Sequence, residues 1–223
     1  MGGVWAILVA GGTGSRFGQP KQYQPLGDRR VLDWSLRAAA AACDGVVLVV
    51  PRDHLDDREP LADRIAPGGP TRSASVRAGL DAVPGDAEVI VVHDGARPLA
   101  STELFLTVVA SIANGAMAVV PAMAVTETLR SRTLGTIERA DLVAVQTPQA
   151  FRARTLRTAH AAAPDASDDA SLVEALGCRV RIVPGEATNL KITYPTDLLL
   201  AEALLPGIAP EEFDQPPVQY RAR

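Results

Sequence analysis

Residues 4–23, VWAILVAGGTGSRFGQPKQY, decide the fold. Val4–Ala10 is an apolar, largely aliphatic run with no polar alternation, which predicts a strand buried on both faces of a sheet. It passes without a spacer into Gly11, Gly12 and Gly14, and then into the cations Arg16 and Lys21. A glycine-rich turn directly after a first buried strand fits an open α/β sheet, which binds ligands beyond the carboxyl ends of its strands. The same rhythm continues outward. Val46–Val50, Val89–His93, Ala116–Pro121 and Val180–Val183 read as further buried strands. Between them, Val31–Ala42, Ser73–Val83, Ser101–Ala113 and Asp168–Leu176 read as helices, with Ser73, Ser101 and Asp168 as candidate N-caps. Strands and helices in turn imply parallel β-α-β units, hence a three-layer α/β/α sandwich around a mostly parallel, Rossmann-like sheet. Segment 122–142 breaks the pattern: it is polar and arginine-bearing, and Gly135 with its alternating neighbours predicts a hairpin arm projecting from the sheet. Residues 206–223 are rich in proline and acid and are expected to form a mobile tail. A chain of 223 residues with 47% hydrophobic content is expected to build one domain over residues 1–223.

The bulk numbers exclude several classes of function. A net charge of −4 argues against a duplex-binding surface, because phosphate-backbone affinity needs a basic face, so no nucleic-acid partner is expected. Cys43 and Cys178 lack CxxC spacing, which indicates neither zinc nor a disulfide framework and suits a reducing, cytoplasmic setting. No basic segment precedes the first apolar run and glycines follow it at once, so neither signal peptide nor membrane anchor is expected. The apolar stretch Ala116–Val125 is too short to span a bilayer.

Lysine usage points to the chemistry. Of 22 basic residues only Lys21 and Lys191 are lysines; the rest are arginine. Lysine is a compact, strongly hydrated point charge where arginine is a planar fork, so a lysine retained beside a glycine-rich turn marks a candidate anion site. The turn fits neither common nucleotide fingerprint. GxGxxG fails at Phe17, and no GxxxxGK[ST] occurs. Gly11, Gly12 and Gly14 can still bring backbone N–H groups close to phosphate oxygens. A tight strand-to-helix turn is the lesser alternative for three glycines in four residues, and the loop's position alone is weak evidence of function.

Further motifs narrow the reading. HDGARP at His93–Pro98, VQTPQAF at Val145–Phe151, SDDASLVEALG at Ser167–Gly177 and NLKITYPTDL at Asn189–Leu198 follow the glycine-rich loop and its PKQY in fixed order. With AGGTGSRFGQPKQY they resemble the 2-C-methyl-D-erythritol 4-phosphate cytidylyltransferase family of the non-mevalonate isoprenoid pathway, over residues 4 to about 204. The resemblance implies a glycosyltransferase-A-like nucleotidyltransferase fold. It also implies attack by the phosphate oxygen of a polyol phosphate on the α-phosphorus of CTP, with pyrophosphate leaving and Mg²⁺ as cofactor. The same scaffold leaves two rivals open, a ribitol 5-phosphate cytidylyltransferase and a non-catalytic nucleotide-binding protein.

The reaction suits the side chains present. A phosphate monoester has a second pKa near 6, roughly, so the nucleophile is largely dianionic at neutral pH and needs no general base. Accordingly none of the three histidines forms a recognisable nucleophile-base pair with serine or cysteine. Positive charge is what two approaching anions require. By resemblance Arg16 and Lys21 stabilise the transition state, and Lys191 places the incoming phosphate. Asp94, with Arg97 beside it, contacts substrate and the magnesium-nucleotide neighbourhood, as a metal ligand or indirectly; His93 reads as structural. Cytosine selection is assigned by resemblance to Ala10, Gly11, Gly12, Gly69 and Ser75, with Gly14 and Gly95 also lining the nucleotide site and Ser167 on the substrate side. Pro70 stands where the family usually has an acidic residue, and Gly11 and Gly95 stand in place of common alanines. The arm implies a homodimer with arm exchange and shared active sites, in which Thr128 and Arg139 of one subunit reach the polyol phosphate bound in the other.

Overall fold

The computed structural model describes residues 3–162 and 165–207. Its elements in chain order are β1 (Val4–Val9), β2 (Pro25–Leu26), β3 (Arg29–Arg30), α1 (Val31–Ala42), β4 (Gly45–Val50), β5 (Arg64–Pro67), α2 (Arg72–Ala82), β6 (Val89–Asp94) and α3 (Thr102–Ala113). There follow β7 (Ala118–Ala124), β8 (Leu129–Ser131), β9 (Gly135–Ile137), β10 (Val143–Val145), β11 (Gln149–Arg152), α4 (Ala153–His160), α5 (Asp169–Ala175), β12 (Val180–Pro184) and α6 (Pro195–Leu204).

The main sheet has the order β10-β7-β11-β6-β1-β4-β5, with β12 on β7. β1 runs parallel to β4 and β6, β4 to β5, and β12 to β7, while β11 and β10 run antiparallel to their neighbours. The sheet is therefore mostly parallel but mixed. Alternation along β1 separates the two helical layers. Ala6 and Leu8 face the layer that holds Leu32 and Leu36 of α1 and Phe105, Val108 and Ile112 of α3. Ile7 faces the layer that holds Val76 and Leu80 of α2, Leu156 of α4 and Val173 of α5. Because β1 is covered on both faces it shows no polar alternation, as expected of a buried parallel strand. A smaller cluster of Phe17, Trp34, Leu99 and Ile192 closes the sheet's carboxyl end, where the glycine-rich loop and the Lys191 segment meet.

Some local expectations change. The cap of α2 is Thr71, whose side chain accepts from the Ala74 N–H at 3.1 Å, and not Ser73. The Ser73 hydroxyl is occupied instead with Ala166, donating to its carbonyl and accepting from its N–H. Ser101 and Asp168 cap α3 and α5 by accepting from Leu104 and Ser171. The strand expected at Ala116–Pro121 runs on to Ala124, because β10 pairs with its end. Within segment 122–142, β8 and β9 form a hairpin in which Ser131 faces Gly135, and Gly135 takes φ +83°, closing the turn. The expected tail lies outside the described residues from 208 onward. No helix among the described residues is long and apolar enough to cross a membrane.

Candidate active site

The carboxyl ends of β1 and β6, the start of α2 and the segment before α6 enclose a cavity of about 440 Å³. Ala10, Gly11, Gly12, Gly14, Arg16 and Lys21 line it from the first loop. Gly69, Ser75, Asp94 and Lys191 line the remaining walls. Residues far apart in sequence are thus brought together at the place an open α/β sheet offers a ligand.

The glycine-rich loop is shaped by two constraints. Gly14 has φ +69°, and a Cβ there would overlap the Gln19 carbonyl oxygen, so only glycine fits. Gln22, buried in the 3₁₀ turn after Lys21, donates its side-chain amide to the carbonyls of Ala10 at 2.7 Å and Gly12 at 3.0 Å. That clamp fixes the loop relative to the turn that carries Lys21. On the opposite wall the Gly69 N–H donates to Ser75 Oγ at 3.1 Å, and the Ser75 hydroxyl donates to the Thr71 carbonyl at 3.0 Å. The hydroxyl's one proton is committed to the turn, so Ser75 presents a ligand with an acceptor.

Charge is distributed unevenly. Neither Arg16 nor Lys21 has a carboxylate partner among the described residues, although both line the cavity. Partial burial, followed by the positive charges of Lys191 and Arg16, pushes the Lys21 ammonium below the ordinary lysine pKa. An anion in the cavity would relieve that repulsion. Lys191 is paired: its Nζ donates to Asp94 Oδ2 at 2.6 Å. The other Asp94 oxygen accepts from Arg72 Nε at 3.1 Å. Burial alone would raise the Asp94 carboxyl, but Arg72, Lys191 and Arg97 together hold it well below the usual carboxylate range.

His93 lies behind Asp94 and is fully buried. Its Nε2 faces the Arg97 carbonyl at 3.2 Å, which can only accept, so Nε2 carries the proton and Nδ1 accepts from the Thr147 hydroxyl at 3.0 Å. Thr147 Oγ1 in turn accepts from the Asp94 N–H at 3.1 Å. Burial pushes the imidazole pKa down to about 4, so the ring is a neutral brace at neutral pH.

Other expected residues lie elsewhere. Gly95 is buried beside the cavity, and its N–H donates to the Val9 carbonyl at 3.0 Å. Arg97 turns from the cavity and donates to the Asn189 carbonyl at 2.7 Å, bracing the segment that delivers Lys191. Gln146 supports the same segment, donating to the Glu186 carbonyl and accepting from Asn189 Nδ2. Ser167 is exposed just before α5 and does not line the cavity. Thr128 and Arg139 sit exposed on the arm, where the Arg139 guanidinium donates to the Thr126 carbonyl of the same arm. Arg72 and Gln22 were not among the expected site residues. Gln22 lies within the quoted PKQY, but nothing in the sequence marks Arg72 apart from its place at a helix start.

Comparison with known proteins agrees with this geometry. The family model of 2-C-methyl-D-erythritol 4-phosphate cytidylyltransferase matches residues 4–206. The chain belongs to that family. It is 44% identical over 219 residues to the Rhodococcus opacus (strain B4) 2-C-methyl-D-erythritol 4-phosphate cytidylyltransferase, covering 92% of this chain and 96% of that one. The Streptomyces coelicolor member is 40% identical over 226 residues, covering 90% and 84%. The Thermus thermophilus crystal structure of the same enzyme superposes with a TM-score of 0.78 at 37% identity, covering 90% of this chain and 98% of that one. The sheet, the cavity and the family match together place this member among the α/β nucleotidyltransferases.

Proposed function

We propose that the chain transfers CMP from CTP to 2-C-methyl-D-erythritol 4-phosphate, giving 4-diphosphocytidyl-2-C-methyl-D-erythritol and pyrophosphate. The observation that carries this reading is the convergence of Arg16, Lys21, Arg72 and Lys191 on one cavity whose lining holds no histidine among the described residues. An oxygen of the substrate phosphate attacks the α-phosphorus of CTP, and the bond to the bridging oxygen breaks as pyrophosphate departs. The nucleophile is already ionised, so the protein's task is to gather anions and stabilise the charge on the transition state. Arg16 and Lys21, without carboxylate partners among the described residues, serve the triphosphate, and Lys191 serves the incoming phosphate. Backbone groups of Ala10–Gly12, Gly69 and the accepting Ser75 oxygen suit the amino edge of cytosine.

Mg²⁺ fits the donor set in a limited way. Among the described residues no cluster of three or more His, Cys, Asp or Glu could cage a metal, and Asp94 is the one carboxylate lining the cavity. Magnesium commonly takes one or two carboxylates together with substrate phosphates, so Asp94 would hold an ion carried largely by CTP. When bound, the ion neutralises phosphate charge.

The reading includes a homodimer whose arms, at about 122–142, exchange so that Thr128 and Arg139 complete the partner's site. Support comes from Leu134, Ile137, Val143, Val145 and Ile182, large apolar side chains left exposed on the arm and the nearby strands. A cytoplasmic location agrees with the free thiols of Cys43 and Cys178. The test is pyrophosphate release with each of the four NTPs and either methylerythritol phosphate or ribitol 5-phosphate. CTP with methylerythritol phosphate is expected to turn over fastest. Preference for another NTP, or for ribitol phosphate, overturns the assignment.

A further inference from the structure

Behind the cavity wall lies a second layer of charge. Asp169, at the start of α5, is completely buried. Its Oδ2 accepts from Arg72 Nη1 at 2.7 Å, and its Oδ1 accepts from His160 Nε2 at 2.9 Å. Arg72 uses its Nε for Asp94, whose second oxygen holds Lys191. The four side chains form one chain of alternating charge, Asp169 to Arg72 to Asp94 to Lys191. Asp169 does not line the cavity, whereas the other three do.

A single arginine shared between two carboxylates is held in a fixed plane only if both are present. Asp94 alone would leave the guanidinium free to rotate about its Nε contact. Burying a carboxylate is costly unless it is paired, and a buried ion pair contributes little net stability. We propose that Asp169 is a positioning residue: through Arg72 it fixes the carboxylate of Asp94 and hence the ammonium of Lys191 where the incoming phosphate binds. This rests on the cytidylyltransferase reading above. His160 completes the anchor, because its Nε2 proton fixes the other Asp169 oxygen while its Nδ1 is buried without a partner among the described residues.

The test uses the full-length protein and the variants Asp169→Asn, Arg72→Gln and the double variant. Asparagine keeps the shape of Asp169 but removes the charge that orients Arg72. Misplacing a reacting group by a fraction of an ångström lowers turnover, so kcat/KM for methylerythritol phosphate is expected to fall about tenfold or more. The KM for CTP should stay within about threefold, because the Gly69 N–H to Ser75 Oγ bond does not involve the Arg72 guanidinium. In the Arg72→Gln background the same change should cost less than about twofold, since the path to Asp94 is already cut. Equal losses in both backgrounds, or kcat/KM near wild type in Asp169→Asn, overturn the proposal. If Asp169→Asn fails to fold, Arg72→Lys gives a second test: one ammonium cannot serve both carboxylates, so the same selective loss is expected, and wild-type kinetics overturn it. A wild-type protein that does not release pyrophosphate from CTP and methylerythritol phosphate refutes the cytidylyltransferase reading, and the proposal that rests on it falls with it.

Discussion

Lys191 Nζ and Asp94 Oδ2 lie 2.6 Å apart, so one of the cavity's two lysines is bound to an internal counter-ion while Lys21, the other, is not. The two lysines therefore differ in what their loss does. Lys21 has no hydrogen-bond or ion-pair partner for its ammonium among the described residues, so Lys21→Ala is expected to leave Tm within a few degrees, roughly, as surface-type changes do. Turnover should nevertheless fall about a hundred- to thousandfold, the usual cost of removing one charge-stabilising contact. Thermal unfolding and steady-state pyrophosphate release check both halves. Full turnover in the folded variant would remove Lys21 from the chemistry.

Gln22 offers a test of the loop clamp. Gln22→Glu keeps the side chain's size but replaces two donors with a carboxylate facing the carbonyls of Ala10 and Gly12. Two acceptor contacts are turned from attractive to repulsive, at about 1–3 kcal/mol for leaving buried groups unsatisfied. The KM for CTP is expected to rise about tenfold, corresponding to roughly 1.4 kcal/mol. An unchanged KM for CTP would show that the loop holds its shape without the clamp.

How much of this was legible beforehand depends on locality. β1, its glycine-rich turn and the hairpin at Gly135 are set by neighbouring residues, and the sequence pattern foretells them. β11 and α4 are not so marked: Gln149–Arg152 is short with polar ends, and Ala153–His160 carries few large apolar residues. Their structure comes from packing on β6 and α2. The cap of α2 falls on Thr71 because the Gly69–Ser75 contact fixes where the turn ends, and two candidate hydroxyls lie two residues apart. The Arg72–Asp169 pair spans 97 positions, and only the sheet order brings it together. Arg97 illustrates a contact that the sequence does not display. A cation in a motif beside Asp94 invites a ligand role, yet its guanidinium reaches the Asn189 carbonyl.

The buried imidazole of His93 makes stability depend on pH. Its pKa is pushed down to about 4 in the fold, against about 6.5 in the unfolded chain. Between those values the unfolded chain binds more protons, so stability rises with pH through this window and is lost as pH falls from about 6.5 to about 4. The shift corresponds to roughly 3 kcal/mol. Urea unfolding at fixed protein concentration should show wild type losing about that much more than His93→Gln across the window. Parallel pH profiles for the two proteins would exclude His93 as the source.

The arm supplies the last test. Arg139 and Thr128 are exposed, and in a single subunit the Arg139 guanidinium is turned to the Thr126 carbonyl and not to the cavity. In the proposed arm-exchanged homodimer, Arg139 would contribute to catalysis by reaching the other subunit's site. Mixing Arg139→Ala with Lys21→Ala subunits makes heterodimers in which one of the two sites has both residues intact. Activity absent from either parent should therefore return, to about half the wild-type value per heterodimer if the sites act independently. Subunit exchange is verified by mass on differently tagged copies. If exchange is demonstrated and no activity returns, the sites are not shared; an Arg139→Ala parent that is itself fully active makes Arg139 only a solvated charge on the arm.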